Sequence, residues 1–435
     1  MRSRLPGAVA IVYAVAFVYL VGKAALFRER VPPGVPPDER AHVSFVAYLG
    51  DSGRLLPRYE EMLLLDDTGR FGCLWSYLPH PPLYYAALAG LDRLGGGKRS
   101  VSFDVFTRRL RRVAAPLFAA AAALFLFLGW RRTVPLAEHV IYAAAVATVP
   151  PLAFVGAAVN NDALAFLAGG VALLGLVRWL EGRAGALTGT LVGAGLSLAL
   201  LSKLTCGLLV ASALLGTLAL TRRFGSPERS GRLALVALPW LILPAVHFVP
   251  VLLRYGTPIP SLDVTHPAAV VTSTFVAGPP ADPRTLVTWS RLIAETLALT
   301  WFSLAGHVQI PIGPAWTLAG PALLLALAAI GLAASARPGP DDDRAGRTLA
   351  RIGAGAVAMT LLLNLVWAYA GYCEAGHVGG IHARYYLPLL PCLGLAATAG
   401  VRRLAAGPWL AVLLTALLVL ADASVTLRYL ALFPA

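Results

Sequence analysis

The stretch that decides the fold is Met1–Phe27, "MRSRLPGAVAIVYAVAFVYLVGKAALF". Its basic start and apolar centre resemble a signal peptide, but the apolar run is long for a signal h-region and many similar segments follow it. It is therefore expected to be a retained first membrane helix. Composition agrees: 58% of the 435 residues are hydrophobic, only 13% are charged and mean hydropathy is +0.71, which excludes a soluble globular protein. Further apolar runs approach or exceed the ~20 residues that cross a ~30 Å hydrocarbon core. They fall at 7–27, 113–130, 137–158, 162–180, 185–201, 204–220, 232–253, 314–336, 350–371, 384–402 and 408–430. The expected fold is an all-α polytopic membrane protein, a single bundle over 1–435 with about eleven transmembrane helices.

The net charge of +14 raises the possibility of a nucleic-acid partner. The arginines, however, gather at the ends of apolar runs, as the positive-inside rule requires, and no basic domain is left for a nucleic acid. With the N-terminus cytoplasmic, the basic loops at Arg131–Arg132, Arg178–Arg183, "TRRFGSPERSGR", "ARPGPDDDRAGR" and Arg402–Arg403 all fall inside. Two large extracytoplasmic loops result, 28–112 and 254–313. The first is far longer than a simple connection and is expected to be ordered, helical and functional. "HPPLYYAALAGLDRL" is expected to lie on the outer surface, and 285–306 is left as re-entrant or surface-lying. Cys73, Cys206, Cys373 and Cys392 lack metal-site spacing.

On this bookkeeping the polar motifs share one side. "VPPGVPPDERAH" places Asp38 and Glu39 at the exit of the first helix, with His42 on the face of Asp38 if a helix starts there. A solvated helix cap is the competing account. "AAVNNDALAF" puts Asn160, Asn161 and Asp162 at an outer turn, where Asp162 either caps the next helix or belongs to a site. Lys203 in "LALLSKLTCGLL" either snorkels to headgroups or is a cation kept for phosphate. "CEAGHVGGIHARYYLPLLP" carries Glu374, His377, His382, Arg384, Tyr385 and Tyr386 into a helix. A guanidinium at a helix N-terminus suits a phosphate, and a Tyr/Arg interfacial belt is the alternative. The histidine spacing fits no common zinc pattern.

Taken in order, "PPDERAH", "HPPLYYAAL", "NNDALAF", "LSKLTCG" and "ARYYLPLLP" resemble the GT-C glycosyltransferases, multi-helix membrane enzymes that use polyprenyl-phosphate sugars. The set includes protein O-mannosyltransferases and aminoarabinose transferases. The likeness is greatest to a bacterial branch with an Asp-Glu-x-x-His motif, and it covers most of residues 1–400. It implies Asp38 as catalytic base, with Glu39 as the alternative and His42 as an orienting neighbour. It also implies Asp162 as a second catalytic acid and Lys203 and Arg384 as donor-phosphate contacts, joined by Tyr385. His80, Asn161, Glu374 and His382 are candidate substrate contacts. A Mg²⁺ or Mn²⁺ ion on Asp38, Glu39 and Asp162 is left open. The expected activity is inverting transfer of a sugar from a polyprenyl-phosphate donor to a hydroxyl of a glycan, lipid or protein at the extracytoplasmic face of the cell membrane. A transporter or flippase is the alternative. Midplane charges and broken helices would favour the latter, and neither is evident in the near-uninterrupted 408–430.

Overall fold

The computed structural model describes residues 6–35, 38–97, 101–132, 134–224, 227–267, 285–302, 315–334, 343–375, 381–404 and 407–433. Its helices in chain order are α1 (Pro6–Arg30), α2 (Glu39–Ser52), α3 (Leu83–Leu94), α4 (Phe103–Trp130), α5 (Leu136–Ala147), α6 (Pro150–Ala157), α7 (Asp162–Leu180), α8 (Ala186–Ser202) and α9 (Leu204–Phe224). They continue with α10 (Pro227–Ala237), α11 (Ile242–Tyr255), the single turn α12 (Leu262–Thr265), α13 (Leu286–Phe302), α14 (Ala319–Ala334), α15 (Arg344–Ala375), α16 (Leu390–Arg403) and α17 (Gly407–Leu430). Among the described residues, eight helices are long and apolar enough to cross a membrane, or nine if the pair α5 and α6, bent by 49°, is one span. The protein is thus a multi-pass helical membrane protein. The other two expected spans are present as shorter elements. α8 has 17 residues, and 384–402 starts as a 3₁₀ segment, Ala383–Leu389, before becoming α16. Pro388 and Pro391 remove backbone donors there, so an α-helix from Arg384 cannot close its first turns.

The first large loop holds more than helices. Between α2 and α3 lies a two-stranded antiparallel hairpin, Leu63–Leu65 with Phe71–Trp75, in register Leu63 to Trp75 and Leu65 to Phe71. "DDTG" makes the turn: Gly69 has φ +80°, and Asp66 Oδ1 accepts from the Arg70 amide at 3.0 Å and Thr68 Oγ1 at 2.7 Å. α2 carries the hairpin, because Arg40 donates to the Leu65 carbonyl at 2.8 Å and Ser44 Oγ accepts from the Leu65 amide at 2.8 Å. Aromatic packing of Phe45, Tyr59, Tyr84 and Tyr85 gives this region its own core. The second large loop meets the first, with His266 stacked on Trp75 and both Arg254 and Tyr255 bonded to Glu60. Most of 254–313 beyond that point lies outside the described residues.

α4 starts at Phe103, earlier than the hydropathy expectation of 113. The run "RRLRR" lowers hydropathy without breaking the helix, and it places Arg111 inside the structured bundle. At the far end of the bundle, Arg131 bonds Glu181, Arg132 bonds Asp343 and Thr398, and Arg402 bonds Glu138. Four of the five basic loops assigned to one side therefore meet at one end; Gly225 and Ser226 of the fifth, "TRRFGSPERSGR", lie outside the described residues.

A correction concerns charge inside the membrane. Lys23 Nζ donates to Asp422 Oδ2 at 2.5 Å and to the Ala147 carbonyl at 3.2 Å, and Tyr19 donates to the same carboxylate oxygen at 2.6 Å. Both charges lie about two turns inside their helices, so 408–430 is interrupted after all. The Ala147 carbonyl sits at the α5–α6 break before Pro150, where it loses its helical partner. Lys23 caps it, and Asp422 neutralises Lys23.

Candidate functional site

Asp38 occupies the N-cap position of α2, yet its side chain makes no capping bond. It is also the one non-glycine residue with positive φ among the described residues, at φ 60° and ψ 9°. Asp tolerates that left-handed conformation better than most residues, at a cost of roughly 1 kcal/mol, and such strain concentrates at functional sites. The carboxylate turns away from the helix: Oδ1 accepts from the Tyr77 hydroxyl at 2.9 Å, and Oδ2 lies 3.4 Å from Arg384 Nη2. The helix-cap account of Asp38 is therefore not what the geometry shows.

The neighbouring acid behaves differently. Glu39 is fully buried. Arg111 forks onto it, Nε to Oε1 at 2.7 Å and Nη2 to Oε2 at 2.6 Å, while the amides of Val159 and Gly34 donate to Oε1 and Oε2 at 2.9 and 2.8 Å. Arg111 in turn donates to the carbonyls of Arg28, Val31 and Pro32. Both oxygens of Glu39 are thus committed to tying α1, α2, α4 and the turn before α7 together. The candidacy of Glu39 as base or metal ligand gives way to that structural role.

The turns before α7 and before α9 are also tied. Asn161 Nδ2 donates to the Ser202 carbonyl at 2.6 Å, and Lys203 Nζ to Asp162 Oδ1 at 2.8 Å. Asp162 is the first residue of α7 and does not cap it; Asn161 is at the N-cap position without a side-chain cap bond, and Asn160 Oδ1 accepts from the Asp162 amide at 2.9 Å. Lys203 stands in extended backbone between α8 and α9 and is only 7% exposed, which rules out snorkelling to headgroups. The 3₁₀ segment brings Arg384 to this pair. It lies directly on α7 where Gly169 faces the Pro388 carbonyl, and a Cβ at 169 would collide with it. Arg384 Nε is then 3.6 Å from Asp162 Oδ2. The Tyr385 ring underlies both cations, 4.3 Å from Lys203 Nζ and 5.7 Å from Arg384 Cζ. The expected help from an α-helix N-terminus is absent here, since α16 begins only at Leu390.

Arg384 thus stands between two carboxylates without a close bond to either. It is 6% exposed, and its Nη1 has no hydrogen-bond partner among the described residues; nor have Asp162 Oδ2 and Asn161 Oδ1. Buried donors and acceptors are nearly always paired, so this group of open atoms is suited to bonding ordered water or a polar ligand.

His42 donates to or accepts from Tyr85 Oη at 2.8 Å and stacks on His80 at 5.9 Å between centroids. Burial drives the His42 pKa down to about 3; the Asp38 and Asp162 carboxylates oppose that shift and the charges of Lys203 and Arg384 support it. Burial and the Lys203 charge likewise hold His80 well below the ordinary imidazole range. Both rings are neutral at pH 7 and act as hydrogen-bonding groups. His382 occupies the N-cap position of the 3₁₀ segment, and its ring meets Tyr385 edge-on at 5.4 Å. The Glu374 side chain and His377 lie outside the described residues.

The acids do not fit a divalent ion. Glu39 is saturated by Arg111 and two amides, while Asp38 and Asp162 both face Arg384. Among the described residues no group of three or more His, Cys, Asp or Glu side chains has the arrangement to hold a metal. Sequence reasoning missed Tyr77, Tyr85 and Arg111. Arg111 carried a signal, a basic residue at the start of an apolar helix on the side of the acids.

No protein-family model matches the chain, and no curated protein matches it. Solved structures do. The S. cerevisiae protein O-mannosyltransferase Pmt1–Pmt2 complex bound to the sugar donor is similar over 59% of this chain and 34% of that one, at 18% identity and TM-score 0.42. ArnT from Cupriavidus metallidurans in the apo state is similar over 91% of this chain and 76% of that one, at 15% identity and TM-score 0.37. The archaeal oligosaccharyltransferase AglB from Archaeoglobus fulgidus, in complex with an inhibitory peptide and a dolichol-phosphate, is similar over 96% and 56%, at 16% identity and TM-score 0.40. The chain therefore spans about a third of the first structure and just over half of the third.

Proposed function

We propose that the protein is an inverting glycosyltransferase that moves a sugar from a polyprenyl-phosphate donor to an acceptor hydroxyl on a glycan, lipid or protein. Its site faces the extracytoplasmic side, with the N-terminus cytoplasmic. The observation that carries this reading is Arg384, buried between Asp38 and Asp162 beside Lys203 with an open Nη1. A phosphate diester placed there receives a planar fork from Arg384 and a point charge from Lys203. Asp38 lies on the other side of the guanidinium, where an acceptor hydroxyl approaches the anomeric carbon from the face opposite the phosphate.

The step balances without further reactants. The acceptor O–H proton passes to Asp38, the acceptor oxygen bonds the anomeric carbon, and the C–O bond to phosphate breaks with its electron pair leaving on the phosphate. One displacement inverts the centre. Lys203 and Arg384 stabilise the charge that develops on the leaving oxygen, so no acid is needed to protonate it. No step passes through a metal.

One observation favours a transporter or flippase, the intramembrane Lys23–Asp422 pair, because such charges often mark transport paths. That pair is closed at 2.5 Å and engaged with a carbonyl at a helix break, which suits a structural pin better than a path. The test is incubation of the purified protein with defined polyprenyl-phosphate sugars and hydroxyl acceptors, followed by mass analysis. Free polyprenyl phosphate and an inverted glycoside are expected. Lipid-linked sugar that crosses proteoliposomes uncleaved would replace the enzyme reading with the transporter.

A further inference from the structure

We propose that Tyr77 is a positioning residue for Asp38, holding its carboxylate in the reactive orientation after the donor phosphate has drawn Arg384 away. This rests on the glycosyl-transfer reading above. The two sides of the carboxylate are held by different kinds of group. Oδ2 faces a guanidinium 3.4 Å away that is shared with Asp162 and has an open N–H, the group a phosphate recruits. Oδ1 accepts a 2.9 Å bond from a phenol. Burial and the charge of Asp38 both oppose ionisation of that phenol, so it remains a neutral donor across the working pH range.

The phenol is anchored away from the Asp38 turn, at the end of the hairpin that α2 carries. Tyr77 lies on the segment joining the hairpin to α3, pinned by the Ser76 amide on the Met62 carbonyl at 2.8 Å and by Tyr59 Oη on the His80 carbonyl at 2.9 Å. Asp38 needs such an external hold, because its left-handed backbone turns the carboxylate off the α2 amides that an N-cap would use. As phosphate competes for Arg384, the Tyr77 bond keeps the base aimed and favours its ionised form. Tyr77 keeps its own proton throughout. The charged and titratable groups around Asp38 are Arg384 on the 3₁₀ segment, Asp162 on α7, Lys203 between α8 and α9, His42 on α2, His80 before α3 and Tyr85 on α3. The two imidazoles stay neutral at working pH, so the acid limb of the profile belongs to the carboxylate.

The experiment compares pH profiles of wild type, Tyr77→Phe and the loop control Tyr255→Phe on a polyprenyl-phosphate sugar and a hydroxyl acceptor. Tyr77→Phe is expected to lower kcat about tenfold with donor KM unchanged. The acid limb of kcat/KM should rise by about one pH unit, as follows from removing a hydrogen bond to an ionised group. Tyr255→Phe loosens the loop but leaves the limb in place. Incorporation of 3-fluorotyrosine at position 77 keeps the ring, strengthens the donor and moves the limb down, which covers the case where Tyr77→Phe does not fold. Wild-type transfer with an unmoved limb in both position-77 variants overturns the role of Tyr77 alone. Absence of transfer by wild type from any such donor overturns the glycosyl-transfer reading and this role with it.

Discussion

Glu39→Gln tests whether the second acid of the motif is structure or chemistry. In the native protein Glu39 is 0% and Arg111 1% exposed, and four donors saturate the carboxylate. The amide keeps the shape but removes the charge and turns one acceptor oxygen into a donor, which in either orientation faces both an Arg111 N–H and a backbone amide N–H. Breaking a buried ion pair from one side costs about 3–5 kcal/mol, because the partner charge stays buried without compensation. That is a large share of the usual 5–15 kcal/mol of a folded domain. The first loop should loosen from α4, with a lower thermal midpoint in detergent and faster proteolysis between residues 39 and 102. Replacing both partners, as in Glu39→Leu with Arg111→Met, should not recover the loss, since the amides of Gly34 and Val159 and the carbonyls of Arg28, Val31 and Pro32 would lose their partners. Thermal unfolding and limited proteolysis of the three proteins form the assay. A Glu39→Gln protein with wild-type stability and turnover reduced by ~10² or more would refute the structural reading and return Glu39 to the chemistry.

Asp38→Asn should lower turnover by ~10² or more with donor affinity and thermal midpoint kept, since Asn also accepts the left-handed backbone; near-normal turnover would remove Asp38 as base. Arg384→Lys keeps the charge but loses the fork, so donor KM should rise, and Arg384→Ala should be worse. Because burial lowers the pKa of His42 to about 3, and that of His80 as well, the unfolded chain takes up protons below pH ~6.5 that the folded chain refuses. Stability should therefore be full above that pH and fall as pH drops towards 3, by up to ~1.4 kcal/mol per pH unit for each ring; thermal midpoints measured from pH 7.5 to 5 should show it, and His42→Gln should flatten the slope. Single cysteines at Asp51 and Thr265, in a background without native cysteines, should react with an impermeant thiol reagent in intact cells while one at Arg183 should not, and the reverse pattern would invert the topology.

Hydropathy exposed most of the bundle because a long apolar run has few other homes. It failed where two features mix in one stretch. The "RRLRR" run hid the first turns of α4, and prolines turned the start of 384–402 into a 3₁₀ segment. Asp38, Asp162, Lys203 and Arg384 were visible as polar breaks in apolar sequence, and the structure brings them together. What the sequence could not separate was Asp38 from Glu39. The two stand side by side, but the fate of Glu39 depends on Arg111, 72 residues away, and that of Asp38 on Arg384, 346 residues away. Lys23 and Asp422 escaped for the same reason. Each looks like a tolerable single charge near a helix end, and only their contact across the chain makes them a buried pair.

The charge balance explains why an arginine stands at position 384. Three acids, Asp38, Glu39 and Asp162, meet three cations, Arg111, Lys203 and Arg384, so the site is neutral before substrate binds. In the proposed reaction the donor diester brings one negative charge. During transfer Asp38 loses its charge by taking a proton, while the departing phosphate gains one. Negative charge therefore shifts across the site, from the carboxylate to the leaving oxygen. A lysine at 384 presents a compact charge that must favour one end of that path. The guanidinium is planar and delocalised, with Nη2 towards Asp38, Nε towards Asp162 and Nη1 open. It therefore loses attraction to Asp38 as it gains attraction to the phosphate. Arg384 holds the bound diester already, and the further attraction it gains as the bond breaks is the part that accelerates the step, because only an interaction that strengthens in the transition state does so. Lys203, held 2.8 Å from an Asp162 that keeps its charge throughout, serves to hold the ground-state phosphate more than to follow the reaction.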